Sequence, residues 1–131
     1  MTYLIKQFIE KHINLIEQKE YDLVYEEAYR IFTDSFCAEL TAVLSDVFEE
    51  DFDAIAKSIA YSHFEENLKA FVQDRNSFMS LPSFISLYMG NNLCGVDFYE
   101  FRDFIIANPP QNPNIKFQMD AEGELYIERI K

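Results

Sequence analysis

Five carboxylates fall within eight positions of one stretch: Asp46, Glu49, Glu50, Asp51 and Asp53, in SDVFEEDFDA at residues 45–54. Side chains of this type at this density support two chemistries, coordination of a hard cation or presentation of a negative surface. A calcium loop needs oxygens at fixed offsets and a glycine for its sharp turn. The stretch has no glycine, and Phe52 interrupts it. A negative surface is the better reading. If the preceding helix continues, Asp46, Glu49 and Glu50 share a face, and like charges at those spacings cost about 0.2–0.5 kcal/mol per pair. They also crowd a helix C-terminus, where the dipole favours cations. A chain selected for stability alone would scatter lysines here. Asp22, Glu26 and Glu27 extend the charge on a neighbouring helix beside Tyr21, Tyr25 and Tyr29. Aromatic residues next to charge are the usual composition of protein-binding hot spots, so Tyr25 joins the candidate contact set.

A second chemistry needs softer ligands. His63 and Glu66 are one helical turn apart and could share a zinc-like ion, with Cys37, Cys94 or His12 added by the fold. Their spacing matches no zinc pattern, and half-buried structural histidines are the competing reading; no cofactor is expected. Cys37 sits on an apolar helical face, where thiols are inert. Cys94, in NNLCG, reads as a better exposed loop residue. Neither is surrounded by the signature of a cysteine hydrolase, and there is no phosphate loop. The chain is expected to be non-enzymatic.

Bulk composition narrows the partner. The 131 residues carry a net charge of −12. Residues 17–53 hold 12 acids against Lys19 and Arg30, a net of −10. Direct binding to nucleic acid or to an anionic membrane requires a basic face and is not expected. A basic protein is the natural complement. The cysteines form no C-x-x-C pair, which suits a reducing compartment. No signal peptide is apparent, and no apolar run approaches the ~20 residues of a membrane helix. A cytoplasmic location is the expectation.

The elements that must position these residues follow from periodicity. Ile5, Phe8, Ile9, Ile13 and Ile16 predict a helix over 3–17, with Thr2 as its cap. A second helix covers 21–32. A third is capped by Asp34 or Ser35 and turns Phe36, Leu40, Val43, Leu44 and Val47 inward. A fourth covers 53–72 through Ile55, Ile59, Phe64, Leu68 and Phe71, and QDRNS (73–77) is a loop. Ser80 and Pro82 start a helix that Gly90 ends. Asp97 to Glu100 is a capping box, flanked by Val96 and Phe101 at the staple positions, for a helix that must stop before Pro109. The period then changes to two. Ile115, Phe117 and Met119 alternate with polar residues, and Gly123 suits the left-handed position of a bulged hairpin turn. The expected class is α+β: one mainly helical domain of five to six helices over 1–107, with a two-stranded C-terminal hairpin at 114–130 packed on it. Phe8, Ile13, Ile31, Leu40, Leu44, Ile59, Leu68, Phe101, Ile105, Phe117 and Ile127 should form the core.

In size, charge and lack of paired cysteines the whole chain resembles the small acidic proteins that phages and mobile elements encode against host nucleases, the anti-CRISPR proteins among them. That group shares no motif, so no residue carries over. The resemblance implies a mechanism, in which an acidic surface mimics nucleic acid and occupies a basic channel built for DNA or RNA. FIEKHINLIEQKEYDLVYEEAY and AELTAVL are also similar to helical leader segments that precede bacterial leucine-rich repeats, although no repeats follow here. The expected function is therefore inhibition of a basic nucleic-acid-binding protein such as a defence nuclease. The alternative is a helical adaptor that binds through apolar and tyrosine contacts. Neither reading specifies the oligomeric state.

Overall fold

The computed structural model describes residues 3–90 and 93–130. Among these residues, α1 (Tyr3–Lys11), α2 (Ile13–Glu17), α3 (Tyr21–Ile31), α4 (Asp34–Phe48) and α5 (Phe52–Gln73) come first. Then follow β1 (Phe78–Ser80), α6 (Leu81–Phe84), a π-helical turn (Ile85–Met89), α7 (Phe98–Ala107), β2 (Ile115–Met119) and β3 (Leu125–Arg129). The class is α+β, mainly helical. The chain forms two compact units, Met1–Ala60 with Asn91–Val96, and Tyr61–Gly90 with Asp97–Lys131. No helix among the described residues is long and apolar enough to cross a membrane.

In the first unit, the helix expected over 3–17 breaks at His12. The ring Nδ1–H donates to the Phe8 carbonyl at 2.9 Å, and the His12 backbone N–H donates to the same oxygen at 3.0 Å. A side chain that competes for the carbonyl four residues back loosens the turn, and the imidazole stacks on the Phe8 ring instead, 4.2 Å between centroids. This split helps give seven α-helices among the described residues where periodicity suggested five to six. Thr2, the expected cap of α1, lies outside the described residues. α2 closes with Lys19 at φ 60°, Glu20 N–H bonding Leu15 and Lys19 N–H bonding Ile16, the pattern of a Schellman motif. α4 is capped by Thr33, whose hydroxyl accepts from Phe36 N–H at 3.4 Å, and not by Asp34 or Ser35, which lie inside its first turn. Ile5, Phe8, Val24, Ala28, Leu40, Leu44 and Phe52 make the core of this unit. Ile31 does not join them and is 44% exposed. Phe32 takes the inward place, stacked on Phe36 at 3.8 Å and edge-on to Phe8 at 6.0 Å.

α5 buries Phe52, Ala56, Ala60, Phe64 and Leu68, a row spaced by four, followed by Phe71. Ile55 and Ile59, expected inward, flank this row and are half-buried. In the second unit Phe64 meets Phe84 and Phe101 edge-on, at 5.1 and 5.9 Å. The C-terminal hairpin is present and gains a third strand, in the order β1-β3-β2, all antiparallel. Phe78 pairs with Glu128, and Ile127 pairs with both Met79 and Phe117. β1 falls between the QDRNS loop and the helix that Ser80 caps, where no strand was expected. Its three residues are too few for a periodicity signal. The local punctuation is as expected elsewhere. Ser80 accepts from Ser83 N–H at 3.4 Å, and Gly90 ends the π turn at φ 57°. Asp97 accepts from Tyr99 and Glu100 N–H at 2.8 and 3.2 Å. Gly123 is left-handed at φ 85°, in a turn where Asp120 Oδ1 accepts from Glu122 and Glu124 N–H, each at 2.9 Å.

Candidate functional site

The acidic stretch is a tight turn joining α4 to α5. α4 ends at Phe48, and Glu49 takes a left-handed conformation at φ 53°, ψ 33°. Three bonds then lock the chain. Phe52 N–H donates to Ser45 Oγ at 3.2 Å and to the Glu50 carbonyl at 3.0 Å. Asp51 Oδ1 accepts from Ala54 N–H at 3.2 Å, which caps α5 in the ordinary Asp manner. Phe52 is fully buried, and Phe48 packs half-buried against the core. Phe52 also meets the Tyr21 ring edge-on at 5.0 Å. The two phenylalanines between the carboxylates therefore pin the turn from inside.

This arrangement leaves Asp46, Glu49, Asp51 and Asp53 exposed. Glu50 is half-buried, because its carboxylate accepts the Tyr21 hydroxyl at 3.0 Å. That bond ties the start of α3 to the turn, with Asp22 exposed next to Tyr21. Burial, and then the Glu50 carboxylate, raise the Tyr21 pKa above its ordinary value. The acids lie as the dipole argument described: Asp46 is in the last turn of α4, the unfavourable end, and Asp53 in the first turn of α5, the favourable one.

Two of the proposed contact residues do not belong to this surface. Tyr25 is 3% exposed, and its hydroxyl pairs with Thr41 Oγ1 at 3.0 Å inside the core. Burial drives its pKa well up, with a smaller contribution from the Asp53 charge. It is a packing residue, because its only polar atom is satisfied internally. Tyr21 and Tyr29 also pack against that core. Glu27 forms an ion pair with Arg30, one turn along α3, at 2.5 Å. The Arg30 bond lowers its pKa, with small contributions from His12 and Lys11, so its charge is compensated locally. Glu26 stays exposed on α3.

The ligands considered for zinc do not converge. Among the described residues no three His, Cys, Asp or Glu side chains are grouped to hold a metal ion. Glu66 points to solvent, His63 is half-buried, and His12 is committed to Phe8. Cys94, expected in an exposed loop, is 2% exposed against Cys37, which is 0% exposed. The Cys37 thiol, and then burial, push the Cys94 thiol well above its ordinary pKa.

A separate polar cluster was invisible to periodicity. Tyr88, carried by the π-helical turn, donates to Asp74 just past the end of α5. Arg129 on β3 donates to the Phe71 carbonyl and lies 5.0 Å over the Phe71 ring. The Tyr88 bond holds the Asp74 carboxyl below its usual range, with a lesser contribution from the Arg129 charge. These residues stitch the end of α5 to the sheet.

No family model, curated protein or solved structure matches this chain.

Proposed function

We propose that this protein binds a basic, nucleic-acid-binding protein through the α4–α5 turn and blocks it as an acidic mimic, without catalysis. The observation that carries the reading is the turn's construction. Glu49 occupies a left-handed conformation that disfavours side chains, and Asp46 sits at the wrong end of a helix dipole, yet buried Phe52 and three hydrogen bonds among Ser45, Glu50, Asp51, Phe52 and Ala54 fix the turn that carries them. Charge held on a fixed frame loses little ordering entropy on binding, which favours affinity. Asp22 and Glu26, exposed and one turn apart on α3, stand about 5–6 Å from each other, a spacing that matches separate Lys or Arg side chains.

The test is capture from a bacterial lysate by the parent chain and by a variant carrying Asp22→Lys, Asp46→Lys and Glu49→Lys. These positions are exposed, whereas Glu50 and Asp51 also brace the fold and would confuse the result. The captured protein should be basic, bind DNA or RNA, and lose that activity on addition of the parent chain. The variant should bind at least tenfold more weakly, about 1.4 kcal/mol. Affinity should fall steeply with salt. Equal binding by the variant at low salt would sink the mimic.

An adaptor function draws support from a different surface than the tyrosine row. Phe98 and Tyr99 on α7 are exposed, with the Arg102 guanidinium 5.4 Å over the Tyr99 ring. Aromatic and Arg side chains presented together are hot-spot chemistry. Binding that survives the charge reversal and is lost in Tyr99→Ala would favour this alternative.

A further inference from the structure

We infer that Cys37 and Cys94 form an intramolecular disulfide site, closed by a low-molecular-weight disulfide of the glutathione class. Cys37 lies in the first turn of α4, and the loop before α7 lays Cys94 and Gly95 against the N-terminal half of that helix. The approach is close. A β-carbon placed on Gly95 would stand 2.8 Å from Thr41 Oγ1 and 3.6 Å from the Ala38 Cα, so the loop backbone rests directly on α4. Gly95 adopts φ 71°, the conformation that allows this approach. The Cys94 Sγ sits 3.9 Å from the Tyr25 carbonyl, and both cysteines are buried in the same core cluster. Cys94 and Cys37, far apart in sequence, thus flank the contact of Gly95 with Ala38 and are buried together in one dry core, the kind of proximity a disulfide needs.

The chemistry balances as thiol–disulfide exchange. One cysteine, as thiolate, attacks a sulfur of glutathione disulfide, which breaks the glutathione S–S bond, forms a mixed disulfide and releases one glutathione thiolate. The second cysteine, as thiolate, attacks the protein sulfur of that mixed disulfide, which forms the Cys37–Cys94 bond and releases the second glutathione thiolate. The two cysteine protons end on the two glutathiones. The protein is oxidised by two electrons and glutathione disulfide is reduced by the same two. Burial raises the Cys94 thiol, so its thiolate is scarce and exchange is slow. The pair is then silent under reducing conditions and responds to a sustained oxidising shift.

The test equilibrates the intact chain in glutathione redox buffers, followed by acid quench, whole-mass measurement and peptide mapping. The expected product is a monomer lighter by two hydrogens, with the Cys37 and Cys94 peptides joined. Its formation constant in the folded chain should exceed that of the same chain in concentrated urea by at least tenfold, because folding holds the thiols together. Chains that keep both thiols, carry glutathione without closing, or join only between molecules would overturn the inference. So would a folded-state constant equal to or below that in urea. No substitution is needed, so a misfolded variant cannot obscure the result.

Discussion

Replacing Glu49 with glycine should stabilise the protein, and the size of the effect can be built from the turn. At φ 53° and ψ 33° the residue pays the left-handed penalty of an L side chain, about 1–2 kcal/mol. Glycine removes that penalty but gives the unfolded chain more freedom, a loss of about 0.5–1 kcal/mol. Taking a negative charge from the C-terminal end of α4 returns about 0.3–1 kcal/mol. The net expectation is a gain of about 1 kcal/mol. With a urea m-value of about 2 kcal/mol/M, the unfolding midpoint should rise by about 0.5 M. Glu49→Gln serves as the control, since it removes the charge and keeps the strained backbone. Its gain should be smaller and should fade in high salt, while the difference between the two variants persists. If glycine is no more stable than glutamine at this position, the backbone there is not strained and the account of a charge held against its preference is wrong.

Three further outcomes follow from neighbouring geometry. Asp51→Ala, which removes the carboxylate cap on Ala54 N–H, should cost about 1 kcal/mol by urea unfolding, whereas Asp51→Ser should recover most of it. Gly95→Ala should cost about 2 kcal/mol or more, because its β-carbon would strike the Thr41 hydroxyl that joins Tyr25 to α4, and at positive φ; equal melting temperatures would contradict the close approach of this loop. Tyr61 is raised to about 12 by burial and then by Glu65, so its neutral form is favoured in the folded state. The stability it contributes is complete below the unfolded value near 10 and declines as pH rises toward 12. Thermal melts from about pH 8 to about pH 11 should therefore show a weaker alkaline decline in Tyr61→Phe than in the parent.

The features legible in the sequence are those whose cause is local. Ser80, Asp97 and Gly123 act through bonds and dihedral angles within a few residues, and each stands where its residue type implies. The acidic stretch was legible as a run of charge, but the end of α4 at Phe48 takes Glu49 and Glu50 off the helical face that their spacing suggested. What escaped depends on distant partners. The buried row of α5 runs through Ala56 and Ala60, whose small side chains carry almost no hydrophobic signal, so the louder Ile55 and Ile59 pulled the expected face to one side. Tyr25 looked like a surface residue because its hydroxyl is satisfied by Thr41, sixteen positions away. Cys94 looked exposed because the helix that buries it comes much earlier in the chain. β1 exists only because β3 pairs with it.

That last pairing bears on how the protein is made. β3 is the middle strand, so neither ladder of the sheet can form until the ribosome has released residues 125–129. Before then Phe78 and the inward side chains of β2 have no strand to pair with, and the nascent chain carries unpaired backbone that invites aggregation. The first unit has no such dependence, since its last segment is Asn91–Val96. Synthesis should therefore deliver the acidic turn well before the sheet, and a stall or truncation before Leu125 would leave the charged surface folded and the second unit incomplete.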